Sequence, residues 1–424
     1  MTTTCPYTHQ AGDAAGAAVP GGGRIVLDPF VSDLDGESAA LRAAGPLARV
    51  ELPGGVRCYA VTHHAEARRL LVDGRLVKDI TVWDAWRRGE IPGDWPLIGL
   101  ANPGPSMLTA DGAEHRRLRA LVAQALTPRR VERLRDRVEE LTTGLLDRLD
   151  RRDPSEPVDL KVEFAYPLPM SVVRELMGVD PADLPRLKEL YDKFFSTQTP
   201  RAEVPGVIAE LAGLFTRTLE SKRAQPADDL TSALIAASED GDRLTDREIV
   251  STLRLMMTAG HETTISLIVN AVVALSTHPG QRALVLAGEV PWENVIEETL
   301  RWSTPTSHVM FRFATEDIEV GDRVLPKGEA LIMSFGAIGR DERQHGPTAG
   351  DFDVTRPPTR HLSFGHGPHV CPGAALSRLE AGVALPALYA RFPDLDLAVP
   401  ATELRNKPMV TQNDLYELPV RLGG

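Results

Sequence analysis

The sequence predicts a mainly α-helical fold with a minor β region, and three observations support this. Apolar residues recur at helical spacing from residue 112 to about residue 275. Short β-like runs follow Pro305, and a last helical pattern begins at about Ala374. The 424 residues are 42% hydrophobic, which is enough for a large buried core and excludes a wholly disordered chain.

The predicted elements follow one another without an internal repeat. Residues 1–23 are rich in Gly and Ala, and we expect them to form a mobile N-terminal segment. Residues 50–61 read VELPGGVRCYAV, which predicts two short strands joined by a Gly-Gly turn. Pro128 separates two helical patterns between residues 112 and 150. Length alone would suggest two or three domains.

The longest segment without clean periodicity covers residues 79–111. It holds three of the five tryptophans, Trp83, Trp86 and Trp95. Long segments of this kind in compact domains are usually functional lids or disordered linkers, and the aromatic content argues against disorder. We favour a lid over an apolar site, while a structural loop anchored by its tryptophans is the alternative.

Composition excludes several classes of partner. The formal net charge is −12, whereas nucleic acid requires a basic surface. The three cysteines, Cys5, Cys58 and Cys371, are too few for a disulfide framework and indicate the reducing cytoplasm. The longest uncharged apolar stretch, residues 263–277, is shorter than the roughly 20 residues of a membrane-spanning helix. We therefore expect a cytoplasmic protein with no membrane segment and no nucleic-acid partner.

Residues 361–373, HLSFGHGPHVCPG, carry the strongest functional signal. Cys371 follows a Gly-rich turn and precedes a helix, and a helix N-terminus favours the thiolate form of a cysteine. A lone thiolate on an apolar loop is suited to be the axial ligand of a haem iron. Two other interpretations remain open at this point. One is a buried structural cysteine, and the other is a zinc site formed by His361, His366, His369 and Cys371.

The pattern Phe364-Gly-x-Gly-x-His-x-Cys371-x-Gly resembles the haem-binding signature of the cytochrome P450 superfamily. The resemblance covers the chain from about residue 27 to its C-terminus. It implies a single domain over residues 24–424, with the mainly α haem-thiolate fold and haem b as the cofactor. It also implies that Cys371 is the axial ligand of the haem iron and that His369 contacts a haem propionate.

A Glu-x-x-Arg element, Glu298-Thr-Leu-Arg301, lies upstream of the cysteine loop. Its i,i+3 spacing places the carboxylate and the guanidinium on one helix face, although such pairs are common on helix surfaces. The P450 resemblance implies that this is a structural pair beneath the cysteine loop, with Arg356 as a third member.

A long helix is predicted from a capping box at residues 245–248 to Pro279, with a length of roughly 50 Å. Its middle, residues 259–264 (AGHETT), matches the distal helix of the P450 family. One glycine and two adjacent β-branched threonines weaken the helix there and can open it for a ligand or a water molecule. By resemblance, Glu262 relays protons and Thr263 hydrogen-bonds dioxygen or a water molecule.

The resemblance implies further haem contacts on other elements. His115 and Arg119 are spaced i,i+4 on one helix face and match the propionate pair of the family, while an exposed basic helix is the alternative. Arg312 matches another propionate contact. Arg116 and Arg117 point away from that helix face, and we expect them to help dock an acidic ferredoxin on the cysteine side.

The implied activity is that of a monooxygenase, which inserts one oxygen atom of dioxygen into a C–H bond and reduces the other to water. The sequence holds no dinucleotide fingerprint or flavin-like domain, so electrons would come from NAD(P)H through a ferredoxin reductase and a ferredoxin. We expect a monomer. The competing functions are a haem-thiolate sensor that does not turn over and a zinc-stabilised helical scaffold.

The substrate is suggested by residues 95–128, which are similar to an actinobacterial subfamily that hydroxylates bulky polycyclic or macrocyclic molecules. We therefore expect a lipophilic substrate, either a steroid or a macrolactone of polyketide origin. The candidate pocket residues are Ala259, residues 306–310 with Val309 among them, Val410 and Gln412.

Overall fold

The computed structural model describes residues 23–239, 242–357 and 360–423. It confirms a mainly α-helical protein with a minor β region. The expected mobile segment, residues 1–23, lies outside the described residues except for its last position. The single domain over residues 24–424 stays a prediction. No helix within the three described ranges combines the length and the apolarity that crossing a membrane would need.

Helices fill most of the chain between residues 112 and 302. A π-helical turn over Lys161–Ala165 precedes the eighth α-helix. In chain order the α-helices are α1 (Leu34–Ala43), α2 (His64–Leu70), α3 (Asp84–Arg87), α4 (Ile98–Ala101), α5 (Gly112–Ala125), α6 (Pro128–Glu132), α7 (Arg135–Leu149), α8 (Pro167–Met177), α9 (Leu184–Phe195), α10 (Val204–Ala224), α11 (Leu230–Ala236), α12 (Asp246–Gly260), α13 (Glu262–Thr277), α14 (Pro279–Leu286), α15 (Trp292–Trp302), α16 (Phe335–Gly339), α17 (Glu342–His345) and α18 (Ala374–Arg391).

The strands are short. In chain order they are β1 (Ile25–Val26), β2 (Leu47–Leu52), β3 (Val56–Val61), β4 (Leu76–Val77), β5 (Val158–Asp159), β6 (Ser238–Glu239), β7 (Asp242–Arg243), β8 (His308–Ala314), β9 (Ile318–Val320), β10 (Arg323–Leu325), β11 (Ala330–Ser334), β12 (Asp396–Leu397) and β13 (Pro419–Arg421).

A mixed six-stranded sheet has the order β1-β2-β3-β11-β8-β4. The predicted Gly-Gly turn joins β2 to β3, which pair antiparallel with Leu52 opposite Val56. Strand β8 pairs antiparallel with β11, and Arg312 lies opposite Leu331. The strands expected after Pro305 are therefore confirmed, and they place Arg312 in the sheet.

The helix predicted from residue 245 to Pro279 is in fact two helices, α12 and α13. The capping box at its start is present, since Glu248 N–H donates to Thr245 Oγ1 over 3.3 Å and Thr245 N–H donates to the Glu248 carboxylate over 2.7 Å. The expectation of one unbroken helix was wrong. The chain instead breaks at His261, which has φ of −110°.

Side chains replace backbone hydrogen bonds at this break. Thr263 Oγ1 donates to the Ala259 carbonyl over 2.8 Å, and His261 Nδ1 donates to the Met257 carbonyl over 2.6 Å. Both carbonyls belong to the last turn of α12, where the end of a helix leaves carbonyls without backbone partners. Gly260 adds to the weakness because glycine is a poor helix former. The opening expected at this position is therefore present.

Helix α13 runs through the largest apolar core. Twelve of its sixteen residues are buried, and it contacts α8, α15 and α18. His261 is 0% exposed and Glu262 is 2% exposed. The break between α12 and α13 thus lies inside the molecule, and its polar groups need partners there.

The segment over residues 79–111 is anchored by two of its tryptophans, and its role as a lid stays a prediction. Trp83 and Trp95 are 1% and 0% exposed. Trp83 stacks on Phe313 with ring centroids 5.7 Å apart, and Trp95 makes an edge contact with Phe311 at 6.0 Å. The first part of the segment is therefore a structural loop anchored by its tryptophans. Its later part lines the apolar cavity described below.

Candidate functional site

The cysteine loop presents Cys371 just before α18. Gly365 and Gly367 have φ of 75° and 73°, a conformation that residues with a Cβ rarely adopt. Cys371 N–H donates to the Phe364 carbonyl over 2.8 Å, which closes the loop. The two glycines therefore provide the tight turn that the sequence pattern predicts.

Burial and local dipoles act in opposite directions on the Cys371 thiol. Burial raises its pKa, while the N–H groups of Gly373 and Ala374 and the charge of Arg119 lower it. The N–H groups at the start of the helix therefore act in the predicted direction. The net direction is upward, because burial penalises the charged form more than these groups favour it. A bound metal cation removes the proton from a coordinating thiol.

The geometry does not support the zinc alternative. Among the residues that the structure describes, no three or more His, Cys, Asp and Glu side chains are placed to hold a metal ion. His361 Nε2 lies 2.9 Å from a carboxylate oxygen of Glu297. His369 Nε2 lies 3.7 Å from a carboxylate oxygen of Asp111. These two histidines are thus engaged with carboxylates and do not share a metal position with Cys371.

The four predicted propionate contacts, His115, Arg119, Arg312 and His369, lie together near Cys371, and we call them the cation cluster. The rings of His115 and His369 have centroids 4.2 Å apart. Burial lowers the pKa of His369 to about 4; a hydrogen bond to Asp111 opposes this, and Arg312 and His115 add to it. Burial lowers the pKa of His115, and the charge of Arg119 adds to this. The cluster is thus positive and largely desolvated.

The cation cluster contains buried donors that the protein leaves unsatisfied. Arg312 is 3% exposed, yet its Nε and Nη2 have no hydrogen-bond partner within the described ranges, and neither has His115 Nε2. Burial lowers the pKa of Arg312 to about 10, and Asp111 opposes this. Buried guanidinium groups pair with carboxylates or phosphates in most proteins. The cluster therefore fits a cofactor that carries carboxylates, and the thiol of Cys371 fits the iron of that cofactor.

Glu298, Arg301 and Arg356 form a buried ion-pair group. Arg301 is 0% exposed and donates to the two carboxylate oxygens of Glu298 over 2.7 and 2.6 Å. Arg356 Nε donates to Glu298 Oε1 over 3.3 Å. Three backbone carbonyls accept from Arg301 over 2.7 to 2.8 Å, those of Gly339, Ala349 and Asp351.

Helix α15, which carries Glu298 and Arg301, also holds the cysteine loop. The Ser363 hydroxyl donates to the Leu300 carbonyl at the end of this helix. Glu297, on the same helix, binds both His361 of the loop and Arg378 of α18. The buried pair therefore belongs to the helix on which the cysteine loop rests.

Glu262 is a buried and ionised carboxylate at the break. Burial raises its pKa, whereas the nearby imidazole of His261 and the charges of Lys407 and Lys161 lower it, and the net direction is downward. His261 Nε2 lies 3.4 Å from Glu262 Oε1. The other oxygen, Oε2, has no protein partner in the described part of the chain. This oxygen can therefore accept a proton or a hydrogen bond from water.

A chain of ion pairs leads from the surroundings of Glu262 to the surface. Lys161 Nζ lies 2.6 Å from both carboxylate oxygens of Asp414, whose side chain is 1% exposed. Lys407 Nζ lies 3.3 Å from Asp414 and 3.3 Å from Asp192. The Asp192 side chain is 38% exposed. Charged groups therefore connect the interior at Glu262 with solvent.

The two threonines at the break make different contacts. Thr263 is partly exposed, and because its hydroxyl donates to Ala259, its oxygen can still accept a hydrogen bond. Thr264 Oγ1 donates to Ser377 Oγ over 3.1 Å. Since Ser377 lies on α18, directly after the cysteine loop, this contact ties the break to the element that carries Cys371.

An apolar cavity lies among α4, α9, α12 and β8. Val309 lines it, as predicted for the pocket. Ala259 is exposed at the break, while Val410 and Gln412 are 1% and 6% exposed. These three are not among the lining residues, and the side chain of Met310 lies outside the described residues. Apolar lining side chains include those of Leu100, Leu108, Phe194, Leu255, Val309 and Phe311.

The expected docking role fails for Arg117. Its guanidinium donates to Glu114 over 2.7 Å and to Asp242 over 3.0 Å, and it also contacts Glu248. Three carboxylates of the chain itself therefore hold Arg117, which leaves it unsuited to attract an acidic partner. Arg116 is exposed, and its docking role stays a prediction.

Four charged residues of the site were not predicted from the sequence: Lys78, Asp111, Lys161 and Asp414. The chain has only 7 lysines among its 47 basic residues, so a lysine inside an apolar run was an available signal. Asp111 precedes α5, where an aspartate is expected as an ordinary N-cap. Its side chain caps no N–H of α5, and it accepts the backbone N–H of Lys78 over 2.6 Å instead. Only the tertiary structure reveals that role.

Comparisons with known proteins agree with this arrangement. The sequence model of the cytochrome P450 family matches residues 201–283 and 292–416. The 2-hydroxy-5-methyl-1-naphthoate 7-hydroxylase of Streptomyces carzinostaticus is 40% identical over 94% of this chain and 97% of its own length. The 6-deoxyerythronolide B hydroxylase of Saccharopolyspora erythraea is 36% identical over 94% of this chain and 98% of its own length.

A solved structure is more similar still. CYP154C4 from Streptomyces sp. ATCC 11861, solved with testosterone bound, is 74% identical, has a TM-score of 0.93, and aligns with 95% of this chain and 98% of its own. These likenesses extend over nearly all of both chains, and the relatives are hydroxylases. The fold shared with these relatives carries the Cys371 thiol and the cation cluster. Together these groups fit an iron cofactor that carries carboxylates. The chain belongs to the cytochrome P450 family, and it is a monooxygenase with a haem-iron cofactor.

Proposed function

We propose that this P450 hydroxylates a steroid with dioxygen, using haem b. The observation that carries the proposal is the 74% identity to CYP154C4, whose structure holds testosterone. The apolar lining of the cavity supports a lipophilic substrate of this kind. A macrolide substrate is the second candidate, because the 6-deoxyerythronolide B hydroxylase is 36% identical over most of both chains.

The residues that hold the cofactor have separate tasks in this proposal. When bound, a haem with a thiolate ligand supplies an electron-rich iron that favours cleavage of the O–O bond of dioxygen. Cys371 provides the thiolate, and the cation cluster binds the carboxylates. Glu298, Arg301 and Arg356 stabilise the helix under the cysteine loop. Unsatisfied N–H groups on buried Arg312 support this assignment of the cluster.

Glu262 and Thr263 handle protons and water in the proposed reaction. Glu262 is buried but ionised, so it can take up a proton from the solvent side and release it toward the cavity. The ion pairs of Lys161, Asp414 and Lys407 keep it charged and link it to the surface. Thr263 offers a hydroxyl oxygen at the break, which can orient a water molecule or dioxygen.

The proposal also includes the electron donors and the compartment of the protein. Electrons come from NAD(P)H through a ferredoxin reductase and a ferredoxin, with exposed Arg116 among the docking residues. The protein works as a monomer in the cytoplasm. The scarcity of cysteine supports the reducing compartment.

The substrate proposal is tested by adding testosterone, a macrolactone and a fatty acid to the ferric protein and following its spin state by absorption. We expect a low- to high-spin shift with testosterone, and a hydroxylated steroid when a ferredoxin, its reductase and NADPH are supplied. A shift with the macrolactone alone would favour the second candidate. If the haem-loaded protein binds the steroid but gives no product with several ferredoxin systems, the sensor function would be favoured.

The proton-handling role is tested with Glu262→Gln. We expect steroid hydroxylation to fall about a hundredfold, which is within the range for a lost acid–base group. The spin shift with testosterone should persist, because the substrate cavity is unchanged. Glu403→Gln, at an exposed glutamate, is the matched control. Equal turnover in the two variants would contradict the assignment of Glu262.

A further inference from the structure

Lys78 is a buried cation to which the proposed function gives no task. It follows β4 directly and is 6% exposed. Its Nζ donates to the Phe311 carbonyl over 2.9 Å. Lysine is rarely buried without a charged partner. An ammonium group has three N–H donors, and the Phe311 carbonyl accepts from one of them. Lys78 can therefore bind a further acceptor without losing its present contact.

A second buried lysine shows what an ordinary partner would be. Lys161, which is 3% exposed, lies 2.6 Å from both carboxylate oxygens of Asp414. Within the described ranges, the side chain of Lys78 has a neutral carbonyl in comparable contact and no carboxylate. The two lysines are thus buried to a similar degree, and among the described residues a carboxylate lies against the ammonium group of Lys161 but not of Lys78.

The groups around Lys78 are mainly positive. Burial lowers the pKa of Lys78 well below its usual value, Arg312 adds to this, and Asp111 opposes it. Asp111 links Lys78 to the cation cluster, since it accepts the backbone N–H of Lys78 over 2.6 Å and its other carboxylate oxygen lies 3.7 Å from His369 Nε2. Lys78, Arg119 and Arg312 are three side chains that carry a positive charge in water, whereas Asp111 supplies a single negative charge. A ligand with two carboxylates would bring these charges into balance.

Lys78 also lies between two cavities. With Thr109, Ser251 and Arg254 it lines both the inner apolar cavity and the groove outside it. The carboxylate that meets its ammonium group could in principle come from the cofactor or from an acidic substrate that enters through the groove. The cofactor is favoured by position, because Lys78 Nζ binds the carbonyl of Phe311, the residue before Arg312, and Asp111 lies between the Lys78 backbone and His369.

We propose that the Lys78 ammonium group binds a carboxylate of the haem, as a fifth cofactor-binding side chain beside the cation cluster. The inference rests on the haem-binding function of the chain. Its contact with the Phe311 carbonyl fixes the ammonium group against β8, the strand that also carries Arg312 at the next position.

The test compares three variants of the holoprotein. Lys78→Gln removes the charge and keeps an N–H donor for the Phe311 carbonyl, while Lys78→Met removes both. Lys327→Met, at an exposed lysine, is the matched control. The ferric, substrate-free proteins are mixed with excess apomyoglobin to measure the rate of haem loss, and the midpoint potential of the haem iron is measured by reductive titration. Circular dichroism verifies that each variant is folded.

We expect both Lys78 variants to lose haem about tenfold faster than the control, as for the loss of a hydrogen bond to a charged group. Their midpoint potentials should be more negative, because a cation near the iron favours the reduced form. If Lys78→Gln lost haem at the rate of the control, the proposal would be overturned. The burial of Lys78 would then be explained by its hydrogen bond to the Phe311 carbonyl alone. Unchanged haem loss with weaker substrate binding would overturn it in favour of a substrate contact. A wild-type protein without haem would instead contradict the proposed function.

Discussion

Arg301 and Arg312 are buried to nearly the same degree and differ in whether the protein satisfies them. Arg301 is 0% exposed, and Glu298 with three carbonyls accepts from its N–H groups. Arg312 is 3% exposed, and two of its nitrogens have no partner within the described ranges. A buried charge without a partner costs several kcal/mol, so it is rare in a finished structure. The comparison indicates that Arg301 completes the fold, whereas Arg312 is placed for a ligand.

The same difference separates the two sides of the site. Beneath the cysteine loop the charged groups Glu297, Glu298 and Arg301 of α15 are paired with other protein groups, and this ion-pair network is complete without a cofactor. In the cation cluster, His115 and Arg312 hold buried nitrogens without a hydrogen-bond partner among the described residues. Structural and cofactor-binding charges can thus be told apart by their hydrogen bonds, although burial is the same.

The largest expected effect is on the stability of the protein, through the buried ion pair of Arg301 and Glu298. Arg301→Met leaves Glu298 without its principal partner and three carbonyls without a donor. We expect a loss of about 3–5 kcal/mol in the free energy of unfolding, as for other broken buried ion pairs. Urea unfolding followed by circular dichroism measures it. Arg135→Ala, which breaks an exposed i,i+3 pair with Glu132, should cost less than about 1 kcal/mol. Similar losses in the two variants would contradict the structural role of Arg301.

The second-largest expected effect is on the binding of the cofactor by the cation cluster. Arg312→Met removes a buried charge that the protein alone does not compensate, so the unfolding midpoint should stay near that of the wild type or rise. Haem loss to apomyoglobin should accelerate about a hundredfold, because a guanidinium that can bind a carboxylate through two hydrogen bonds is lost. A large loss of stability with normal haem retention would place Arg312 with Arg301 and break the comparison.

Local patterns in the sequence predicted much of this site, because its motifs are contiguous. Cys371 and His369 lie on one loop, and Glu298 and Arg301 on one helix turn, so spacing alone relates them. The helix break at His261 was also foreseeable from Gly260 and the threonines, although the sequence had suggested one continuous helix.

Contacts between distant segments could not be predicted in this way. Lys161 and Asp414 are 253 residues apart, and their pairing depends on how β5 and β13 bring the two segments together. Arg117 shows the converse error, because its helix position suggested a free cation, whereas Asp242 and Glu248 approach it from other elements. Spacing gives the side of a helix on which a charge lies, and only packing determines what meets it.

Two buried carboxylates extend the comparison to acidic groups. Glu262 is ionised because His261 and two lysines lie near it. Glu380, on α18, is 0% exposed, and neither of its oxygens has a partner in the described part of the chain. Burial therefore raises the pKa of Glu380 well above its usual value, and the group is neutral in the folded protein at mildly acid pH.

The smallest expected effect follows from this neutral carboxyl group and depends on pH. Above the usual pKa of glutamate the unfolded chain releases the proton of Glu380 while the folded chain retains it. Stability then falls as pH rises, by up to about 1.4 kcal/mol per pH unit, until the raised pKa of the folded state is passed. Glu380→Gln does not titrate, so its stability relative to the wild type should be higher at pH 7 than at pH 6. Urea unfolding at the two pH values measures the difference, with Glu403→Gln as the exposed control. A difference that stays constant with pH would show that Glu380 is ionised in the folded protein, and that a cation or water satisfies it as lysines satisfy Glu262.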